Sequence, residues 1–252
     1  MHVFITGASS GLGEALARHY AARHATLGLV ARRASALETL AATLGTPSRC
    51  YPLDVREASA LSGAAEDFIG RYGVPDVVIA SAGVSVGTDP SNANDLAVFR
   101  EIIDINVTGL ANTFQPFLSG MRTTGSGVLA GIASVAGYRG LPGAGAYSAS
   151  KAAAIAYLES VRVELHGSGV SVVTISPGYI ATPMTSRNPY RMPFILNAEA
   201  AAEKVARLID RRRSYAVIPW QMAIVARTLR MLPNAVYDRL FARAPRKPRR
   251  VN

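Results

Sequence analysis

The stretch TGASSGLG, Thr6–Gly13, decides the fold. The apolar run VFIT at 3–6 precedes it, and a helical pattern from about Leu12 to Arg23 follows, so it reads as a β-to-α turn. Glycines at 7, 11 and 13 permit a tight turn and close backbone approach, which lets the helix N-terminus face a pyrophosphate. Ser9, Ser10 and Leu12 fill the same turn and join Gly7, Gly11 and Gly13 as candidate phosphate contacts. Working outward, strand and helix patterns alternate: TLGLVA at 26–31, then a helix from about 34 to 44. Further strand candidates are RCYPLD (49–54), DVVIAS (76–81), GVLAGIAS (127–134) and VSVVTI (170–175). Helical segments are expected near 57–71, 95–120, 147–167 and 198–211. This order predicts an α/β fold, a doubly wound parallel sheet with helices on both faces. Ligands of such sheets bind beyond the carboxyl ends of the strands, so residues just after a strand are the first functional candidates.

Length and composition agree. The 252 residues suit one α/β domain, here 1–218, followed by a basic amphipathic extension over 219–252. Nearly half the residues are hydrophobic and charge is sparse, as a sheet buried on both faces requires. The single cysteine, Cys50, has no intramolecular partner for a disulfide or a Cys-based metal site, and no metal is expected. MHVFITG enters an apolar run at once, with no secretory-signal pattern, so a cytoplasmic location is expected. Of the net charge of +10, the segment after Ile218 carries eight Lys/Arg against one acid, Asp238. The basic character belongs to the tail, and neither a recognition module nor interleaved aromatics accompanies it, which argues against a nucleic-acid partner.

The wider glycine spacing, TGxxxGxG, resembles that of the short-chain dehydrogenase/reductase family, whose fold is Rossmann-like. About twenty residues on, the second strand ends in LVARR. NAD-preferring enzymes carry an acid here for the ribose 2′-hydroxyl, whereas arginines suit a 2′-phosphate. Ala31 stands where the acid would be, and Arg32 and Arg33 follow, so NADP(H) is expected. The bland alternative is two arginines solvating a strand end. The resemblance makes Asp54, with Val55 beside it in PLDV, an adenine contact. It also places Ser81, Ala82 and Gly83 beside the ribose, although ASAG replaces the family's NNAG.

YSASK, 147–151, puts a phenol and an ammonium four residues apart on one helix face. Alone this pair is an ordinary helix surface. Its position matters: Ser134 ends a predicted strand thirteen residues earlier, and Asn106 lies upstream in EIIDINVTG. The resemblance implies a catalytic tetrad of Asn106, Ser134, Tyr147 and Lys151. Tyr147 would be the general acid or base, Lys151 and the nicotinamide charge would together lower its pKa, and Lys151 would hold the nicotinamide ribose. Ser134 would bind the substrate oxygen, and Asn106 would hold a water linking Lys151 to solvent, completing a proton relay. Pro177, Gly178, Ile180 and Thr182, in PGYIATPM, would approach the nicotinamide.

The resemblance thus implies an NADP(H)-dependent oxidoreductase interconverting a secondary alcohol and a ketone, in an assembly of identical subunits. Two rivals are an epimerase or dehydratase of the same family and an NADP(H)-sensing regulator without catalysis. Both are opposed by the complete tetrad. The apolar segment Met184, Tyr190, Met192, Phe194, Ile195 and Leu196 covers the substrate in this family and favours a hydrophobic carbonyl or alcohol, unless these side chains merely pack on protein. In the extension, Met222, Val225, Leu229, Leu232, Val236 and Leu240 form an apolar stripe that Pro233 divides. That stripe docks on protein, or with RKPRR lies peripherally on an anionic membrane.

Overall fold

The computed structural model describes residues 1–249, so the last residues of the basic tail, 250–252, lie outside the described residues. Seven strands are found among them: β1 (His2–Thr6), β2 (Thr26–Ala31), β3 (Ser48–Pro52), β4 (Val77–Ala80), β5 (Gly127–Ile132), β6 (Val170–Pro177) and β7 (Tyr215–Ile218). They form one parallel sheet in the order β3-β2-β1-β4-β5-β6-β7. Residues alternate across it as the two-residue strand period demands. Val3 and Ile5 face one core with Leu16 and Tyr20 of α1 (Gly11–Ala21), Leu37 and Leu40 of α2 (Ala34–Leu44), and Val205 and Ile209 of α7 (Ala198–Asp210). Phe4 faces the other, with Phe68 of α3 (Ala58–Tyr72), Phe114 and Phe117 of α5 (Gly109–Thr124) and Leu158 of α6 (Gly145–Glu164).

The chain winds outward from β1 to β3, then returns to place β4 on the other side of β1. The winding order therefore reverses between β1 and β4, which opens a crevice at their carboxyl ends. Thr6 pairs with Ala80 in register, so the glycine turn and the loop starting at Ser81 leave the sheet side by side.

Three features differ from the sequence reading. The helix expected over 95–120 is interrupted: α4 (Asp95–Ile103) and α5 are joined by a π-turn at Asp104–Thr108, in which the backbone gains a residue per turn. The strand expected at 49–54 ends at Pro52, which frees Asp54 for the loop. β7 was not expected, although YAVI is an apolar, β-rich run of strand length.

The extension forms α8 (Trp220–Met231) and α9 (Asn234–Phe241), parted at Pro233 as expected. Only part of the anticipated stripe docks. Met222, Ala226 and Tyr237 are buried, while Val236 and Leu240 stay exposed with Trp220, Ile224 and Met231. No helix among the described residues is long and apolar enough to cross a membrane.

Candidate active site

A cavity of about 480 Å³ runs along the carboxyl ends of the strands. The glycine turn supplies one wall through Gly7, Ser9, Ser10, Gly11, Leu12 and Gly13, with Arg32 and Arg33 beyond β2 and Asp54 and Val55 beyond β3. Ser81, Ala82 and Gly83, then Ser134, Tyr147 and Lys151, then Pro177, Gly178, Ile180 and Thr182 complete it. Asn106 is the one candidate catalytic or cofactor residue that does not line it, and of the apolar segment expected over the substrate only Met184 does.

Two glycines of the turn are fixed by backbone contacts. A Cβ on Gly7 (φ +73°) would stand 2.7 Å from the Ala82 Cα, and one on Gly13 would stand 2.2 Å from the Gly7 carbonyl oxygen. The turn is therefore packed main chain against main chain, leaving the start of α1 bare toward the cavity. Ser10, the residue before α1, makes no side-chain cap. The first amides of α1 thus lack the usual side-chain acceptor, and a phosphate suits them. This cradle fits the pyrophosphate of a dinucleotide.

At the far side of the turn, Arg33 Nη2 donates to the Ser9 carbonyl and hydroxyl oxygens, both at 3.2 Å. The Arg32 side chain is 60% exposed, with Nη1 4.0 Å from Asp54 Oδ2. Asp54 is clamped by Arg56, whose Nε and Nη2 donate at 3.1 and 2.8 Å. These bonds hold the Asp54 carboxyl below the usual carboxylate range. Arg56 went unnoticed in the sequence; its two-residue offset from an aspartate after a strand was the available signal.

At the chemical end, Ser134 follows β5 and caps the short 3₁₀ turn Val135–Gly137, its Oγ accepting from the Ala136 amide at 3.1 Å. Tyr147 and Lys151 lie one turn apart on α6, with the Lys151 Nζ 5.8 Å from the Tyr147 ring centroid. Lys151 is buried and donates to the Ile132 carbonyl at 2.8 Å. Burial pushes the Tyr147 phenol above its ordinary pKa, opposed by its hydrogen bond with Ser134. Burial also brings Lys151 down to about 8. Both charged forms lose water in the same pocket, so the lysine does not by itself make the phenol acidic.

Asn106, in the π-turn, is buried and its carboxamide is bonded at both ends. Oδ1 accepts from the Val84 amide at 2.8 Å, while Nδ2 donates to the Val84 carbonyl at 3.0 Å and to Ser150 Oγ at 2.9 Å. Both amide hydrogens are in use, and the side chain ties the loop after β4 to α6. A Cβ on Gly83 would meet Asn106 Oδ1 at 3.2 Å and Lys151 Nζ at 3.6 Å, which places the lysine head directly beneath that loop.

A family model described as short chain dehydrogenase matches residues 1–192. The chain belongs to the short-chain dehydrogenase family. It is an oxidoreductase of that family, whose members use a nicotinamide cofactor. An uncharacterized oxidoreductase of Myxococcus xanthus is 38% identical over 237 residues, 93% of both chains. One from Mycobacterium tuberculosis is 34% identical over 241 residues, 92% of this chain and 93% of that one. Among solved structures, an alcohol dehydrogenase from the archaeon Thermococcus sibiricus complexed with 5-hydroxy-NADP superposes with a TM-score of 0.77 at 28% identity, covering 86% of this chain and 95% of that one. These matches run past the family model's end, so the segment after residue 192 also has counterparts in the relatives.

Proposed function

We propose that this short-chain dehydrogenase is an NADP(H)-dependent reductase of ketones, acting on a substrate with an apolar body, with Tyr147 as its proton donor. The observation that carries this reading is a single cavity with Ser9, Arg32 and Arg33 among its lining residues as well as Ser134, Tyr147 and Lys151. The arginines would meet a 2′-phosphate, which a carboxylate at Ala31 would have repelled. The Thermococcus alcohol dehydrogenase, bound to an NADP analogue, supports the same choice. When bound, the cofactor supplies the hydride in reduction and accepts it in oxidation.

The chain's own residues handle the proton. Ser134 donates a hydrogen bond to the substrate oxygen as negative charge grows on it. Tyr147, with a pKa above the ordinary phenol value, is a neutral acid at physiological pH and delivers its proton to that oxygen. The resulting phenolate is stabilised by Lys151, which still carries its proton below pH about 8. Gly178, Ile180 and Thr182 would orient the nicotinamide ring from the β6 side. Thr185 fixes that turn, its Oγ1 accepting from the Thr182 amide at 3.1 Å.

Met184 on the cavity wall supplies apolar surface for the substrate body, and Phe194 and Ile195, exposed in the segment that follows, would extend it. Cytoplasmic action as an assembly of identical subunits belongs to the same reading; Leu96 and Phe99 on α4 and Val163 on α6 offer exposed apolar surface for assembly. Tyr147→Phe tests the core of it. The variant should lose at least about 1,000-fold in reductive turnover while its dissociation constant for NADPH changes less than about threefold, since a general acid contributes roughly that much with its partners in place. Turnover equal to the parent's would remove Tyr147 from the chemistry.

A further inference from the structure

The end of the described chain returns to the active site. Beyond α9, residues 245–249 pass along the loops that precede α4 and α6. The Pro248 carbonyl accepts from the Gly87 amide at 2.9 Å, and the neighbouring Thr88 amide donates to Gly143 at 3.0 Å. Arg249 closes a fork on Asp95, Nη2 to Oδ1 and Nε to Oδ2, both at 2.9 Å. The Asp95 side chain is only 11% exposed and also accepts from the Asp89 amide at 2.7 Å, so the anchor is itself held. Two glycines make the approach feasible. A Cβ on Gly87 would stand 2.1 Å from the Lys247 carbonyl oxygen, and one on Gly143 would stand 2.7 Å from the Arg246 Cβ.

This strap sets the Lys247 Nζ 5.7 Å from the Tyr147 ring centroid, as near as the Lys151 Nζ at 5.8 Å. Unlike Lys151, which has the Ile132 carbonyl, Lys247 has no hydrogen bond and no carboxylate partner among the described residues. Burial lowers its pKa to about 8, which leaves it mostly charged at neutral pH. A half-buried ammonium without a counter-ion is destabilising, and an anion that reaches it relieves the penalty. The chemical end of the cavity brings no acid to do so: Ser134, Lys151, Gly178 and Met184 line it, and Tyr190, which also interacts with Tyr147, is a phenol.

We propose that Lys247 is a substrate-specificity residue, its ammonium fixed by the strap beside Tyr147 to pair with a carboxylate carried on an otherwise apolar carbonyl substrate. This rests on the reductase reading and narrows its substrate class. The test compares 3- and 4-acetylbenzoate with their methyl esters as substrates of the full chain with NADPH. The parent should favour at least one acid over its ester by about 10-fold or more in kcat/KM, mainly through KM, as a charge-assisted hydrogen bond allows. Lys247→Met should raise the KM of the acid about 10-fold and abolish the preference, and Lys247→Arg should keep most of it. Arg249→Ala, which releases the strap, should weaken the preference as well. An acid-to-ester ratio unchanged in Lys247→Met overturns the proposal, and so does an equal loss on both, which would mean that the lysine acts on Tyr147. If neither compound is reduced, the reductase reading fails for this class, and calorimetric titration of benzoate into the NADPH-saturated protein decides the anion site. Binding about 10-fold weaker in Lys247→Met than in the parent upholds it; equal affinities overturn it.

Discussion

Tyr147 and Lys151 show how far a residue's neighbours in sequence determine its chemistry. Their spacing, and the serine upstream, were legible because they sit on one helix and one strand end, both local features. The direction of their pKa shifts was not, because it is set by how much of the sheet and of the loop after β4 closes over them. Lys151 has a checkable consequence. Its ordinary value is 10.5, and in the folded chain it falls to about 8. Between these values the unfolded state holds more protons than the folded one, so raising the pH through this window favours folding. The difference in melting temperature between the parent and Lys151→Met, without cofactor, should therefore shift in the parent's favour from pH 7.5 to 9.5. A difference that stays constant with pH would show that the ammonium is not desolvated. The 2′-phosphate site yields a second residue-level test. Arg33 already bridges to Ser9 across the turn. Arg33→Ala should weaken NADPH by about 10- to 100-fold, the range of one or two charge-assisted bonds, and NADH by less than about threefold. Equal losses in fluorescence titrations of the two nucleotides would reject the phosphate role.

At the scale of elements, the fold was legible wherever a strand's apolar run and its following helix carry their own pattern. It was obscured where tertiary packing decides. The π-turn at Asp104–Thr108 looks helical in sequence, and its purpose emerges only with Asn106 bound to Val84 and Ser150, distant partners that no spacing reveals. β7 is short and lies on the edge beyond β6, so little but pairing with that strand defines it. The centre of the sheet is more demanding. Gly28 in β2 has no side chain because Phe4 fills the space: an added Cβ would stand 2.4 Å from the Phe4 ring and 2.9 Å from that of Phe68. Those two rings meet edge to face at 5.5 Å, and Phe117 stands 4.8 Å from Phe4. Gly28→Ala must push this cluster apart and should cost about 1–3 kcal/mol. The urea midpoint should fall with the m-value unchanged; an unaltered midpoint would mean that the aromatic cluster yields freely.

Over the whole molecule, the extension after β7 is coupled to the catalytic loop chiefly by Arg139, two residues beyond the 3₁₀ turn that Ser134 caps. Its Nη1 donates to the carbonyls of Arg230 and Leu232 at 3.3 and 3.0 Å, and its Nη2 to Asn234 Oδ1 at 2.8 Å. Its guanidinium also lies 4.3 Å from the centroid of the Tyr237 ring, whose hydroxyl donates to the Gly140 carbonyl. One side chain thus satisfies the carbonyl end of α8, the start of α9 and the aromatic face between them. This planar, multi-pronged arrangement is one that a lysine cannot reproduce. Because α9 leads into the strap, loosening it should reach the active site through the chain and not through the core. Arg139→Ala should therefore open 231–249 locally while the seven-stranded body stays folded. Trypsin should cut after Arg239 and Arg243 at least about 10-fold faster than in the parent, since losing even one of these charged bonds costs about 1.5–3 kcal/mol of local closure. Arg139→Lys should fall between the two. Cleavage at the parent's rate, with far-UV circular dichroism unchanged, would show that α8 and α9 hold to the body without this arginine, through the buried Met222, Ala226 and Tyr237 and through the strap's bonds to Gly87 and Asp95.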